Sequence, residues 1–420
     1  MLKELLNNIP SILLYLAVFV VSAALMYCGL SFISKKKKVL GVLLVTLGLI
    51  IPPILAGLRY KVGADYDTYV LMHNNVVNGE RMYFRSIEPA SSAIIIGSAM
   101  LRSQFLMFFV FNLITICCFF FAYKNLFKKD NKKVIVAYFI TLCLQFSITM
   151  NAVRSSVAVA IVTLALSFII NKLTARNVIF CLLLIVLAFL FHRSALITLI
   201  FLPAFIICRE SNKKSWTKIV TWSLYMLIAI LLPLIIIAAR KLIKFGDYDR
   251  YLINMGKSYS VPIVCAIMIA FILLISIYMA SKKNKQAINP RIKYLWNCAL
   301  FYIPLSVAIG WITYVGGLSR VAFVLEPIII CLMACFVDSS ERKEKIWKIL
   351  IPSTAAIVVL LLFVRNLSWA RALPYQTYLL KDSTKSTVES PIEDIEEPQE
   401  PGEPELDIEE LEDVTYEAEV

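Results

Sequence analysis

Long unbroken apolar runs alternate with short polar loops along this chain. The runs fall near residues 11–33, 39–57, 103–123, 134–150, 153–171, 177–191, 194–208, 219–239, 261–280, 295–314, 321–337 and 349–366. Several reach or approach the ~20 residues that a helix needs to cross ~30 Å of hydrocarbon. They are continuous and rich in Leu and Ile, whereas a membrane barrel would show short segments of alternating hydrophobicity. The pattern predicts an all-α polytopic integral membrane protein with about 12 transmembrane helices. Two of the runs, 177–191 and 194–208, are short for spans and are separated only by His192 and Arg193. The segment PASSAIIIGSAML, 89–101, is too short to span and begins with proline. It predicts an interfacial or re-entrant helix leading into the next span.

Charge sets the direction of the serpentine. The chain of 420 residues is 60% hydrophobic and 17% charged, which excludes a soluble enzyme on a membrane anchor. Basic loops occur at Lys35–Lys38, Lys124–Lys133, Lys172–Arg176, Arg209–Lys218, Lys282–Lys293 and Arg342–Lys348, at every second connection. The positive-inside rule puts these in the cytoplasm and both termini outside. The run Ser11–Ile33 exceeds a signal-peptide core and is followed by Lys35–Lys38, so it reads as a first span rather than a cleaved leader. Net charge is +13, but residues 381–420 hold 16 acidic and 2 basic side chains, a net of −14 that leaves +27 on residues 1–380. Cations concentrated in short loops point to topology, not nucleic acid. The tail, rich in Glu, Pro and Ser, predicts a disordered segment beyond a membrane domain of residues 1–380. The ten cysteines lie almost entirely in apolar runs without a CxxC pair, so neither a disulfide framework nor a metal site is expected.

Polar residues near membrane level gather on the predicted external side. The loop 58–88 opens with GLRYKVGADYDTYV and carries Arg59, Tyr60, Lys61, Asp65, Tyr66, Asp67, Tyr69, His73, Arg85 and Glu88. Arg154, His192, Arg193 and Arg320 fall on the same side. In MNAVRSS, Asn151 is a candidate helix cap, with Arg154 in the first turn behind it. A helix N-terminus offers free N–H groups, and an arginine there suits phosphate. GGLSR, ending at Arg320, offers a second such opening. Glu326 lies inside an apolar run, where ionisable residues are functional candidates by default. Each has a plainer reading: Arg59 and Lys61 as headgroup-seeking cations, the tyrosines as interface anchors, His192 as a loop residue, Glu326 as the ion-pair partner of Arg320. Several arginines on one side with a histidine and a carboxylate point to a polyanionic substrate, such as a lipid-linked pyrophosphate.

The residues also resemble a family. R-Y-x-V-G-x-D-Y-x-x-Y, Arg59 to Tyr69, is similar to the signature of EpsG-family polysaccharide polymerases, relatives of the Wzy-type enzymes. N-A-V-R-S-S at Asn151–Ser156 resembles the family's N-x-x-R-Q, with Ser155 where glutamine is common. F-H-R-S-A-L at Phe191–Leu196, S-R-V-A-F at Ser319–Phe323 and LPY at Leu373–Tyr375 follow in the same order. The resemblance implies a membrane-embedded glycosyltransferase of the bacterial cytoplasmic membrane. It would polymerise undecaprenyl-pyrophosphate-linked oligosaccharide into exopolysaccharide, capsule or O-antigen-type chains on the extracytoplasmic face, without a cofactor or a metal. Arg154 and Arg320, assisted by Arg59 and Lys61, would bind the pyrophosphate. His192 or Asp65 would accept the proton of the attacking hydroxyl, with His192 the favoured base and Asp65 then orienting the acceptor or Arg59; Tyr60, Tyr66 and Tyr69 would face sugars, and Glu326 is a second-rank binding residue. Membrane lipids and other polysaccharide-assembly proteins are the expected partners. The competing classes are a flippase for the same lipid-linked oligosaccharide, marked by midplane charges and discontinuous spans, and a lipid-linked glycan ligase.

Overall fold

Inside hydrocarbon a backbone N–H or C=O has no water to bond and must be satisfied within its own segment. The apolar runs are accordingly helical wherever the computed structural model describes them, namely within residues 7–80, 87–128, 130–209, 219–228, 231, 260–281, 289–311, 325–337 and 345–380. The helices are α1 (Ile9–Ser34), α2 (Lys38–Leu58), α3 (Tyr66–Val77), α4 (Pro89–Met100), α5 (Gln104–Phe127), α6 (Asn131–Asn151) and α7 (Val153–Asn171). They continue as α8 (Ala175–Phe191), α9 (Thr198–Arg209), α10 (Ser260–Ser281), α11 (Pro290–Ala299), α12 (Tyr302–Trp311), α13 (Glu326–Val337) and α14 (Lys345–Trp369). A 3-10 turn, Arg193–Ile197, joins α8 to α9, and a short apolar helix covers Ile219–Ile228.

Among the described residues, seven helices are long and apolar enough to cross a bilayer: α1, α2, α5, α6, α7, α10 and α14. The chain is a polytopic membrane protein. The described parts of the remaining apolar runs are shorter helices. The segment expected as a span at 194–208 is a 3-10 turn followed by the 12-residue α9. The run expected at 295–314 is divided between α11 and α12. Pro304 explains the break, because it has no N–H for the Leu300 carbonyl and its ring crowds that carbonyl. The Leu300 oxygen instead accepts from the Ile303 amide at 3.2 Å and from Trp222 Nε1 at 3.4 Å.

Packing follows burial. α6 and α7 are the most enclosed of the long helices. Exposed Leu13, Val20, Leu43, Leu183, Ile277 and Leu360 belong to the apolar outer surface that lipid would cover. α1 and α2 pack with almost no side chain between them, since a Cβ on Gly29 would lie 2.7 Å from the Gly41 carbonyl oxygen. Small residues permit such approach where the apolar medium offers no hydrophobic drive between helices. Ser22 Oγ seals the contact by donating to the Gly48 carbonyl at 2.6 Å.

Side-chain bonds sort the helix ends into two sets. At one end Asn131 joins Ser34 and Lys124, Asn125 joins Ser167 and Asn171, and Arg209 donates to the last carbonyls of α7. Lys124, Lys172 and Arg209, from three of the basic loops, belong to this end. At the other end the exit of α2 meets the α6–α7 junction and the segment after α14, and Tyr375 N–H donates to Ser11 Oγ at 3.0 Å. α4 belongs to this second end: Ser91 Oγ donates to the Phe191 carbonyl, and Gln104, just beyond α4, bonds Asn74 and Tyr378. Both flanks of this 12-residue helix are thus at one end, as expected of an interfacial or re-entrant element. Residues 381–420, with the predicted acidic tail, lie outside the described residues, as do Arg85 and Arg320.

Candidate functional site

The second end is organised by the chain leaving α2. Residues 59–64 run beside 370–377, with Tyr60 N–H donating to the Gln376 carbonyl at 2.9 Å and Gly63 N–H to Arg371 at 3.0 Å. Gly63 has φ +102°, and a Cβ there would lie 2.6 Å from the Met150 carbonyl oxygen. Only glycine tolerates both constraints. The R-Y-x-V-G motif is therefore a tight turn pressed onto the end of α6.

Arg59 enters that junction and is buried, 1% exposed. Its Nη1 donates to the Met150 carbonyl, and its guanidinium lies 4.0 Å from the centre of the Phe108 ring. Burial pulls its pKa down to about 10, partly offset by the tyrosine hydroxyls around it, so the group remains ionised at neutral pH. A carbonyl and the negative face of an aromatic ring thus stand in for water around this cation. Lys61, with φ +51°, is exposed at the turn, its Nζ 5.9 Å from the Tyr60 ring centre.

The tyrosines divide. Tyr66 and Tyr69 are buried on α3; Tyr66 stacks on Phe108 at 5.3 Å and Tyr69 packs edge-on against Phe108 and Phe111. Tyr66 also shares a hydrogen bond with Tyr378, whose hydroxyl donates to Gln104 Oε1 at 2.6 Å, and burial raises the Tyr66 pKa. Tyr60 is half-buried, 5.2 Å from Tyr378. Asp65 stands just before α3, and its amide donates to Asn151 Oδ1 at 3.0 Å. The sequence predicts Asn151 as the cap of α7, but its side chain does not cap that helix. It belongs to the last turn of α6, Ala152 is the residue between the two helices, and the Asn151 amide ties down the loop instead.

Arg154 lies in the first turn of α7, partly exposed. Its Nη1 forms an ion pair with Glu88 Oε2 at 2.6 Å, and its Nε donates to the Tyr69 hydroxyl at 3.3 Å. The other Glu88 oxygen accepts the Arg193 amide at 3.2 Å. His192 is the corner between α8 and the 3-10 turn; its Nδ1 accepts from the Ser194 amide at 3.2 Å and lies 2.7 Å from Ser194 Oγ. Arg154, Tyr69, Glu88 and the His192–Arg193 corner thus form one bonded group drawn from α3, the start of α4, α7 and the α8–α9 corner.

A second polar group is set deeper, away from this chain of bonds. Glu326, 2% exposed, accepts from Gln145 on Oε2, while its Oε1 has no hydrogen-bond partner among the described residues. It lies within electrostatic reach of Arg365 and Tyr302, beside the break between α11 and α12. Its proposed partner Arg320 lies outside the described residues.

Glu88, Gln145 and Arg365 complete these groups. In the sequence Glu88 is one carboxylate among several in a long loop; its only local signal is its place before Pro89 at the start of a short helix. Gln145 and Arg365 sit in apolar runs without motif context. Among the described residues, no group of three or more His, Cys, Asp or Glu could hold a metal ion.

The helices define a polytopic membrane protein, and the Arg154 group is a polar site at the end opposite Lys124 and Arg209. The sequence pattern of the EpsG family matches residues 43–377, and the chain belongs to that family. The match takes in both polar groups and the backbone bridge between Arg59 and Thr377. Membership implies a role in exopolysaccharide biosynthesis. No curated protein and no solved structure is significantly similar to the chain.

Proposed function

We propose that the chain is a Wzy-like polymerase that transfers a growing glycan from undecaprenyl pyrophosphate to a lipid-linked repeat unit on the extracytoplasmic face of the bacterial cytoplasmic membrane. The observation that carries this reading is the Arg154 group: a partly exposed arginine in the first turn of α7, oriented by Tyr69 and Glu88 and joined to the His192 corner. An acceptor hydroxyl would attack the anomeric carbon as the bond to the pyrophosphate oxygen breaks. The leaving pyrophosphate keeps the electron pair, and Arg154, at a helix N-terminus, stabilises its charge. The acceptor proton passes to His192, whose ring is oriented by Ser194. Asp65 and Tyr60, at the edge of the same end, would orient sugars, and Lys61 and Arg320 would add positive charge. Arg59, buried against Met150 and Phe108, acts in this scheme by holding the turn rather than by touching the donor.

Purified protein in lipid, supplied with its native undecaprenyl-pyrophosphate repeat unit, should produce a ladder of products. The Arg154→Ala variant should make none while single repeat units still reach the surface of cells. A normal ladder from that variant would remove the pyrophosphate assignment.

One observation favours a second reading, transport of the same lipid-linked oligosaccharide: a broken helix, α11–α12, beside the deeply buried Glu326. Broken spans with intramembrane carboxylates are the signature of alternating access. Movement of intact repeat units across vesicles, without a ladder, would select it.

A further inference from the structure

Glu88 places one oxygen on each of two functional groups, and neither contact is needed to close α4 or α7. Oε2 neutralises Arg154 at 2.6 Å, and Oε1 accepts the Arg193 amide at 3.2 Å, next to His192. The carboxylate is 7% exposed and lies in the interior of the polar group rather than on its rim. A carboxylate bound to an arginine at a helix N-terminus occupies the position an incoming phosphate oxygen would take, since both anions fit the same guanidinium face.

We propose that Glu88 is a positioning latch: it is the resident counter-ion of Arg154, a diphosphate displaces it on binding, and the displacement frees the Arg193 amide and loosens the His192 corner. This rests on the reading of Arg154 as the diphosphate site and names the residue that competes for it. No covalent step is involved; one anion exchanges for another at the same guanidinium. In the empty site the latch holds a charged side chain in place at the N-terminus of α7. On occupation, the same carboxylate reports to the segment that carries the proposed base. A merely structural brace would hold Arg154 in the bound state as well, and the two roles differ in sign. Removing a competitor tightens anion binding, whereas removing a brace weakens it.

The experiment uses the full chain in nanodiscs with two probes, inorganic pyrophosphate and undecaprenyl pyrophosphate, and measures affinity directly. Glu88→Gln, which keeps an oxygen for the Arg193 amide but loses the charge, should bind both probes about tenfold more tightly than the unaltered protein. Equal or weaker binding would overturn the latch. A gain confined to inorganic pyrophosphate would overturn its assignment to the lipid-linked donor. Should Glu88→Gln fail to fold, the unaltered protein supplies the same test. Saturating pyrophosphate should speed amide exchange in residues 191–196, and slower or unchanged exchange at proven saturation overturns the proposal. Arg154→Ala separates the two levels. If it binds pyrophosphate as well as the unaltered chain, the reading of Arg154 is wrong; if it loses binding while Glu88→Gln gains none, only the latch is wrong.

Discussion

Arg59 shows how a charge inside a membrane protein is made tolerable. Placing an isolated cation in a low-dielectric interior is costly, and a carbonyl, an aromatic face and nearby hydroxyls offset the loss of water. The Met150 carbonyl and the Phe108 ring meet part of that need here, with Nε left unbonded, and they make Arg59 a structural clamp between the α2 exit and the end of α6. Arg59→Ala is expected to destabilise the protein by about 2–4 kcal/mol, the scale of losing a buried charged hydrogen bond and its packing. Thermal unfolding in detergent would measure this, and an unchanged midpoint would contradict the clamp. Gly63 is constrained by the same junction. Gly63→Ala combines a positive φ with a contact 2.6 Å from the Met150 oxygen and should cost about 1–3 kcal/mol. Arg154 behaves differently: it is partly exposed and its partners are side chains, so its replacement should affect the polymer far more than the melting temperature.

At the scale of elements, a helix pair and a break decide the geometry. α1 and α2 meet through Gly29 and Gly41, each of whose Cβ positions falls 2.7 Å from the other's carbonyl oxygen. Gly41→Leu should force the pair apart and lower the yield of folded protein, seen as loss of the monodisperse peak in size-exclusion chromatography. Pro304 acts in the opposite sense by keeping α11 and α12 apart. With Pro304→Ala the backbone can complete the missing bond to the Leu300 carbonyl, which Trp222 now shares. Slower amide exchange across 299–305 is the expected result, and exchange as fast as in the parent would mean that tertiary packing, not proline, makes the break. The long connection 58–88 holds more structure than its polarity announces: α3 lies inside it, and α4 follows.

At the scale of the whole molecule, the two sets of helix ends predict sidedness. Lys61 and Asn78 are exposed at the end that carries the polar site, and Lys36 and Lys132 at the opposite end. With Cys28 as the exposed native thiol, Lys61→Cys and Asn78→Cys should react with an impermeant maleimide in intact cells. Lys36→Cys and Lys132→Cys should react only after permeabilisation. The reverse pattern would invert the proposed topology and place the Arg154 group in the cytoplasm. The same alternation of basic loops that suggests sidedness also made most spans readable: α1, α2, α5, α6, α7, α10 and α14 match the apolar runs within a few residues. Runs near a proline or a polar corner were less legible, because length and hydropathy do not register the loss of a single backbone bond at Pro304 or the turn at His192.

Hydrophobicity and local chemistry act on each segment alone, so the sequence by itself determined that this chain is an all-α membrane protein, and it predicted a gathering of polar residues on one side. The motifs at Arg59, Asn151 and His192 could likewise be read without coordinates, since each is a short run with its own backbone demand. Which of those residues touch is a matter of long-range closure, and only the tertiary structure decided it. It buried Arg59 on Met150, turned Tyr66 and Tyr69 inward onto Phe108, and moved Asn151 from a helix cap to a brace for Asp65. It also placed Glu88, 66 residues before Arg154, against that side chain. An ion pair between residues so far apart depends on how four elements pack at one end of the bundle, and no local pattern encodes that meeting.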